Sequence, residues 1–308
     1  MQGNDHPNPS GWVSRLQRFS TKDGPGIRTT AFLKGCTLDC PWCSNPELIS
    51  PSQEIIAHRS LCIRCGNCCS ACPTGALSWQ NGEVLYNPAR CDTCGTCIQV
   101  CPQEVYAYVG ERMESNQLAR ELLRDRVFFE VSKGGVTFSG GEAALQQPFV
   151  HATAIRLQEE NTHVALDTAG NVAWEYLENL SPVLNLVLYD IKFSHTENHR
   201  QWLGIGNERV LDNLDRLSRT EIPIWIRLVI LPGLNDTAVE IQSRLSLAAS
   251  TRHVERVDLL PYHTYGIGKY RRLGRDYRLP DMEPPSRERM EELLALALSY
   301  GLNAHIGG

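Results

Sequence analysis

From about residue 114 onward, short aliphatic and β-branched runs alternate with stretches of helical period, the pattern of a parallel sheet with covering helices. SNQLARELLRDRVFF (115–129) reads as a helix capped by serine, and QQPFVHATAIRLQEEN (146–161) as a second with proline near its start. AWEYLENL, ERVLDNLDRLSRT, TAVEIQSRLSLAAS and SRERMEELLALALSYG supply four more. Between them GGVTFSGGE, HVALDTAG, LNLVLYDIK, IPIWIRLVILPG and VERVDLLPYH read as strands. An earlier strand, IRTTAFLKG (27–35), lies between glycines and brings the count to six. Six parallel strands do not close an eight-stranded barrel, so the α/β expectation is a curved, partly open (β/α)6 barrel. The six strands run, in order, into a cysteine loop, SGGE, DTAG, DIK, LPG and PYH. Barrel sites form at the carboxyl ends of strands, so these polar and glycine residues converge on one rim.

Residues 52–110 break the pattern, with clustered cysteine, glycine, asparagine and proline and only short apolar runs such as ALSW and EVLY. The segment Cys62 to Pro73 repeats as Cys91 to Pro102, 29 residues later. An inserted ferredoxin-like α+β module is expected here, dividing the barrel into residues 12–51 and 111–308. The N-terminal MQGNDHPNPSG is polar and reads as a disordered lead-in rather than a signal peptide.

Composition narrows the class without naming a chemistry. The 308 residues are 42% hydrophobic and 21% charged with a formal net charge of −5, which leaves no basic footprint for nucleic acid. No run approaches the roughly twenty apolar residues of a membrane helix. Arg271, Arg272, Arg275 and Arg278 are locally dense and read as a solvated loop face first, a docking surface second.

Chemistry is carried by eleven of the twelve cysteines, all between residues 36 and 101. Cys62, Cys65, Cys68 and Cys72, then Cys91, Cys94, Cys97 and Cys101, are two C-x2-C-x2-C-x3-C-P runs. In such runs each fourth cysteine ligates the other four-iron cluster. The expected sets are therefore Cys62, Cys65, Cys68 and Cys101, and Cys91, Cys94, Cys97 and Cys72. Zinc does not account for two runs each closed by C-x3-C-P, and cysteines grouped this tightly make poor staples across a domain. Cys36, Cys40 and Cys43 supply three thiolates to a third cluster, which leaves one iron open to a substrate or cofactor. Cys69 is left over and reads as a small buried apolar residue. So many thiols imply a reducing, anoxic, cytoplasmic setting.

The segment FSTKDGPGIRTTAFLKGC, with the C-x3-C-x2-C loop, SGGE and DIK, resembles the radical S-adenosylmethionine enzymes. Within them it is similar to the activating enzymes of glycyl radical enzymes, from about Trp12 to Gly308. The resemblance implies a cofactor, S-adenosylmethionine, chelated to the open iron through its amino and carboxylate groups. Ser139, Gly140, Gly141 and Glu142 would receive the amino group, and Lys192 would pair the carboxylate and count as catalytic beside the three cysteines. Asp167, Thr168, Leu188 and Asp190 match positions around a monovalent cation, sodium or potassium. Arg227 and His263 match rim positions close to the cofactor. Asp23, Gly24, Pro25, Gly26, Ile27 and Arg28 would line the entry for the glycine loop of a partner glycyl radical enzyme. An electron donor such as flavodoxin or ferredoxin is implied. Ala143 departs from the family, where proline usually comes after SGGE. Without the resemblance, Asp190 and Lys192 read equally as an ion pair capping the barrel, and His263 as a core histidine. A radical enzyme acting on a small molecule and a non-catalytic electron carrier remain as alternatives.

Overall fold

The computed structural model describes residues 7–307. Its strands in chain order are β1 (Ser10–Ser20), β2 (Arg28–Leu33), β3 (Glu54–Ala57), β4 (Leu77–Gln80), β5 (Glu83–Tyr86), β6 (Tyr106–Val109), β7 (Glu111–Glu114), β8 (Gly135–Gly140), β9 (His163–Thr168), β10 (Leu186–Asp190), β11 (Ile224–Ile230), β12 (Val254–Pro261) and β13 (Ala304–Ile306). Nine form one sheet in the order β13-β12-β11-β10-β9-β8-β2-β1-β7. From β2 to β13 all pairings are parallel, while β1 is antiparallel to both β2 and β7. The six strands expected from the sequence form the middle of this sheet, in the expected sequence. Its edge strands are β13 and β7, as in a partial barrel.

The helix-facing side of the sheet carries the main core: Val136, Phe138, Val164, Leu166, Val187, Tyr189, Ile226 and Leu228 pack with Leu118, Phe149, Leu177, Leu214, Leu245 and Leu293 from the helices. The opposite face holds a small apolar group, Ala165, Leu186 and Leu188 against Trp225. Thr137, Ser139, Asp167, Asp190, Arg227 and Asp258 share this face with Phe32, Val229 and Leu260, so alternation along each strand separates an apolar outside from a mixed, largely polar inside.

Three expectations are corrected. The lead-in covers residues 1–11; residues 1–6 lie outside the described residues, and Ser10 and Gly11 already belong to β1. Arginines hide this strand: Arg15 lies 3.9 Å over the Phe32 ring and pairs with Glu47 at 2.9 Å, and Arg18 pairs with Asp125. The single helix 115–129 is two, Ser115–Leu123 and Arg126–Ser132. At the break, Asp125 accepts the Thr29 hydroxyl at 2.6 Å and the Arg18 guanidinium. Ser115 is not the cap either: the Asn8 side-chain oxygen accepts from the Ser115 hydroxyl and the Asn116 N–H, both at 3.0 Å.

Residues 54–109 carry two antiparallel pairs, β3–β6 and β4–β5, with their own apolar cluster of Ile55, Ala57, Cys68, Leu77, Val105 and Tyr106. Cys69 is partly buried beside them. The 29-residue repeat is copied in the backbone: Arg64 and Thr93 take φ of 60° and 59°, and Gly66 and Gly95 both take 78°. Left-handed backbone at a non-glycine residue is uncommon, so its recurrence marks one loop built twice. In both copies that residue donates its N–H to a cysteine sulfur two positions back, Arg64 to Cys62 and Thr93 to Cys91, at 3.4 Å.

At the amino end of the strands, Arg28 is buried and its Nη2 lies 3.4 Å from His163 Nδ1. Burial, with Arg28 adding repulsion, lowers the His163 pKa from 6.5 to about 4. Between those values the unfolded chain binds a proton that the folded chain refuses, so stability rises with pH through that window and is lost as pH falls toward 4. Urea unfolding of His163→Gln is expected to show a smaller loss of stability from pH 7 to pH 5 than the wild type.

Candidate active site

The loop after β2 is anchored by the backbone of its own far end. Gly35 N–H donates to Leu48 O at 2.8 Å and Cys36 N–H to Ile49 O at 3.0 Å. Within it Cys43 N–H donates to Cys40 O, and Leu38 N–H to the Cys36 sulfur at 3.4 Å. Leu38, Trp42, Phe193, Leu203, Leu231 and Tyr262 enclose the three cysteines. Burial pushes the Cys36 thiol up to about 11 and raises Cys40 and Cys43 as well. Cys36 also feels Glu142 and Cys43, and Cys40 feels both other thiols of the loop, while Lys192 opposes the rise at all three. In so dry a pocket thiols become thiolates only beside a strong positive charge, which iron supplies. The donor set fits a cluster.

Beside this loop lies the polar interior of the sheet. Ser139 donates to Asp167 Oδ2 at 2.7 Å, and Arg227 Nη1 pairs with the same oxygen at 3.2 Å. Arg227 Nη2 is 3.9 Å from Asp23, and in register Arg227 stands between Asp190 and Asp258. Lys192 Nζ pairs with Asp190 at 2.5 Å. Burial alone would lower the pKa of Lys192 and Arg227, but the facing carboxylates reverse it and both are raised. Burial lifts Asp167 against the pull of Arg227. Arg227 Nε is buried and has no hydrogen-bond partner, so one donor of this cluster is free for a ligand.

The turn after β8 is shaped by its neighbours. Gly140 has φ +129°, and a Cβ on Gly141 would stand 2.2 Å from the Gly35 carbonyl oxygen. That contact lets Glu142 N–H donate to Gly35 O at 2.7 Å, tying SGGE to the cysteine loop. The Glu142 side chain is buried under the DTAG turn, accepting from the Thr168 hydroxyl at 2.8 Å, Ala169 N–H at 3.1 Å and Ala144 N–H at 3.3 Å. Burial raises its pKa to about 7. Its carboxylate therefore holds two rim turns together. Leu188 is buried and apolar, so only its carbonyl oxygen can serve a cation. His263 stacks on Tyr265, centroids 4.6 Å apart, at the exit of β12.

In DGPGIR, Asp23 accepts from Ser20 and Thr30 at 2.6 and 2.7 Å. Arg28 is a buried clasp, donating to Thr137, Pro25 O and Val136 O. Gly24 is buried too and the Asp23 carboxylate turns inward toward Arg227, so Pro25, Gly26 and Ile27 are the members left facing outward. Sequence reasoning missed the arginine segment's role. Arg275 binds Glu54 and Pro46 O, Arg278 pairs with Asp39 at 3.1 Å, and Lys269 pairs with Glu47 at 2.7 Å. The expected solvated face holds for Arg271, Arg272 and Arg278 and fails for the half-buried Arg275; Arg275 and Arg278 strap the segment after β2 through acidic partners, Glu54 and Asp39, more than two hundred residues away.

An open α/β barrel with three thiols and an ion-paired cluster on one rim defines the class. Residues 30–243 match the family model described as the radical SAM superfamily. The chain is 36% identical over 299 residues to the trans-4-hydroxy-L-proline dehydratase activating enzyme of Clostridioides difficile, covering 96% of this chain and 99% of that protein. It is 36% identical over 303 residues to the indoleacetate decarboxylase activating enzyme of Tractidigestivibacter scatoligenes, covering 94% and 95%. A radical SAM methyltransferase from Sphaerobacter thermophilus shares the fold, with TM-score 0.53 and 12% identity over 98% of this chain and 77% of that one. The chain therefore belongs to the radical SAM superfamily and, within it, to the activating enzymes of glycyl radical enzymes. With that family come a four-iron cluster and S-adenosylmethionine.

Removing Arg227 strands Asp167 in a buried site. Arg227→Met is expected to cost about 3–5 kcal/mol of unfolding free energy, and adding Asp167→Asn to recover part of it, read from urea unfolding of both variants.

Proposed function

We propose that this protein installs a glycyl radical in a partner enzyme, and that Cys36, Cys40 and Cys43 hold the cluster that makes it possible. The carrying observation is a three-thiol loop in a dry pocket, next to a charged rim where Arg227 keeps an unpartnered donor. When bound, the cluster supplies an electron and S-adenosylmethionine supplies a 5′-deoxyadenosyl radical, with methionine released and a hydrogen taken from a glycine α-carbon of the partner. Three thiolates would leave the fourth iron open to the cofactor's amino and carboxylate groups. Lys192 pairs that carboxylate, as a compact point charge does well. Ser139 and the carbonyls of Gly140 and Gly141 accept from the amino group, and Glu142 acts by holding SGGE against DTAG. Arg227 binds and orients, and His263 closes the rim. Leu38, Trp42 and Phe193 keep water out.

Asp167 and Asp190 lie on neighbouring parallel strands, beside the Thr168 hydroxyl and the Leu188 carbonyl, an all-oxygen set that supports a sodium or potassium ion held by Asp167, Thr168, Leu188 and Asp190. Pro25, Gly26 and Ile27 line the entry of the glycine loop.

Residues 52–110 are read as a ferredoxin-like insertion between barrel segments 12–51 and 111–308, holding two further four-iron clusters for a total of three. Support comes from two small apolar pockets, one lined by Cys62, Cys65, Cys68 and Cys101, the other by Cys72, Cys91, Cys94 and Cys97. These are the crosswise sets that the spacing implies. Their role is to pass electrons from a donor such as flavodoxin or ferredoxin to the catalytic cluster, in a reducing, anoxic setting. No helix among the described residues is long and apolar enough to cross a membrane.

Cys36→Ala is expected to abolish both 5′-deoxyadenosine and the glycyl doublet in anaerobic electron paramagnetic resonance with a candidate partner, while retaining about two-thirds of the iron. A doublet from the variant would refute the assignment. Turnover of an added metabolite without any partner would favour a small-molecule radical enzyme.

A further inference from the structure

The two inserted cavities are not equally placed. β3 leaves the barrel at Glu54, whose carboxylate is held by Lys34 of the loop after β2 and by Arg275. Along the β3–β6 ladder, Ile55 faces Tyr108 at the barrel end and Ala57 faces Tyr106 at the far end. Ile55 lines the cavity of Cys72, Cys91, Cys94 and Cys97, whereas Tyr106 lines that of Cys62, Cys65, Cys68 and Cys101. The arginine strap marks the same side. A Cβ on Gly266 would stand 2.8 Å from Cys43 O, and one on Gly274 would stand 2.8 Å from Tyr86 O and 3.1 Å from Pro88. Tyr86 lines the first cavity, so a single segment runs from the catalytic loop to its wall. The first cavity is therefore the inner one and the second the outer.

The duplicated loops also differ on their surfaces. Where the inner copy has Arg90 and Asp92, the outer copy has Leu61 and Ile63, 29 residues earlier. Leu61 is 50% and Ile63 61% exposed, and Ile63 lines the outer cavity. Solvent-facing aliphatics over a redox site, at positions the sister loop fills with charges, mark a contact surface. The barrel rim is taken by the partner's glycine loop and the catalytic thiols are enclosed, so electrons must enter from elsewhere. Redox encounters need only a small, weak interface.

We propose that the outer loop, centred on Leu61 and Ile63, is the docking surface of a one-electron donor protein, from which electrons pass through the outer and then the inner cluster to the cluster on Cys36, Cys40 and Cys43. The proposal rests on the reading that both inserted runs hold four-iron clusters. In each transfer the donor is oxidised by one electron, each inserted cluster is reduced and reoxidised in turn, and the catalytic cluster ends reduced by one; no bond is made or broken.

The test is stopped-flow reduction of the iron-loaded full chain by reduced ferredoxin. The variant Leu61→Arg, which writes the inner loop's residue onto the outer one, is expected to raise the ferredoxin concentration for half-maximal rate about tenfold, a loss of about 1.4 kcal/mol in encounter affinity. Iron content and reduction by dithionite stay unchanged. Arg90→Ala leaves the ferredoxin dependence unaltered. An unshifted outer-loop variant, or an equal shift in the inner-loop variant, overturns the docking assignment. Wild-type protein that binds only one cluster's worth of iron sinks both this proposal and the reading beneath it, whereas full iron with an unshifted variant sinks the docking alone.

Discussion

Three thiols confined together in an apolar pocket are the constraint on which the rest depends. Burial raises Cys36, Cys40 and Cys43 away from the thiolate form, and each ionised neighbour makes the next harder to ionise. Iron is what makes such a site coherent. The surroundings serve that end: Gly141 allows SGGE to approach the Gly35 carbonyl, Lys192 sets a cation nearby, and Trp42 and Phe193 exclude water.

The inward face of the sheet answers the same need. Barrel interiors are ordinarily packed with branched apolar side chains. Here Ser139, Asp167, Asp190, Arg227 and Asp258 occupy inward positions, and their mutual pairing is what makes their burial tolerable. Such a row gives up some packing for preorganised charge on the face next to the three thiols.

Much of this was legible because its signals are local. Strands carry short aliphatic and β-branched runs that announce themselves, and the repeated cysteine spacing within twelve residues is what the expected ligand sets rest on. What escaped depends on distant partners. Asn8 caps a helix that begins at Ser115, Asp125 breaks that helix to reach Thr29, and Arg275 grips Glu54 across the fold. β1 was hidden because its arginines pack on Phe32 and pair with Glu47 and Asp125 instead of facing water. Glu142 follows β8 as the strand pattern implies, and only the fold shows its carboxylate turned under Thr168 and Ala169.

The most direct measurement is electron–nuclear double resonance on the reduced protein with S-adenosylmethionine labelled with 15N in its amino group. An open iron on Cys36, Cys40 and Cys43 predicts a nitrogen hyperfine coupling that disappears in Cys36→Ala. A bound cofactor without that coupling, or a coupling that survives the substitution, would contradict the account.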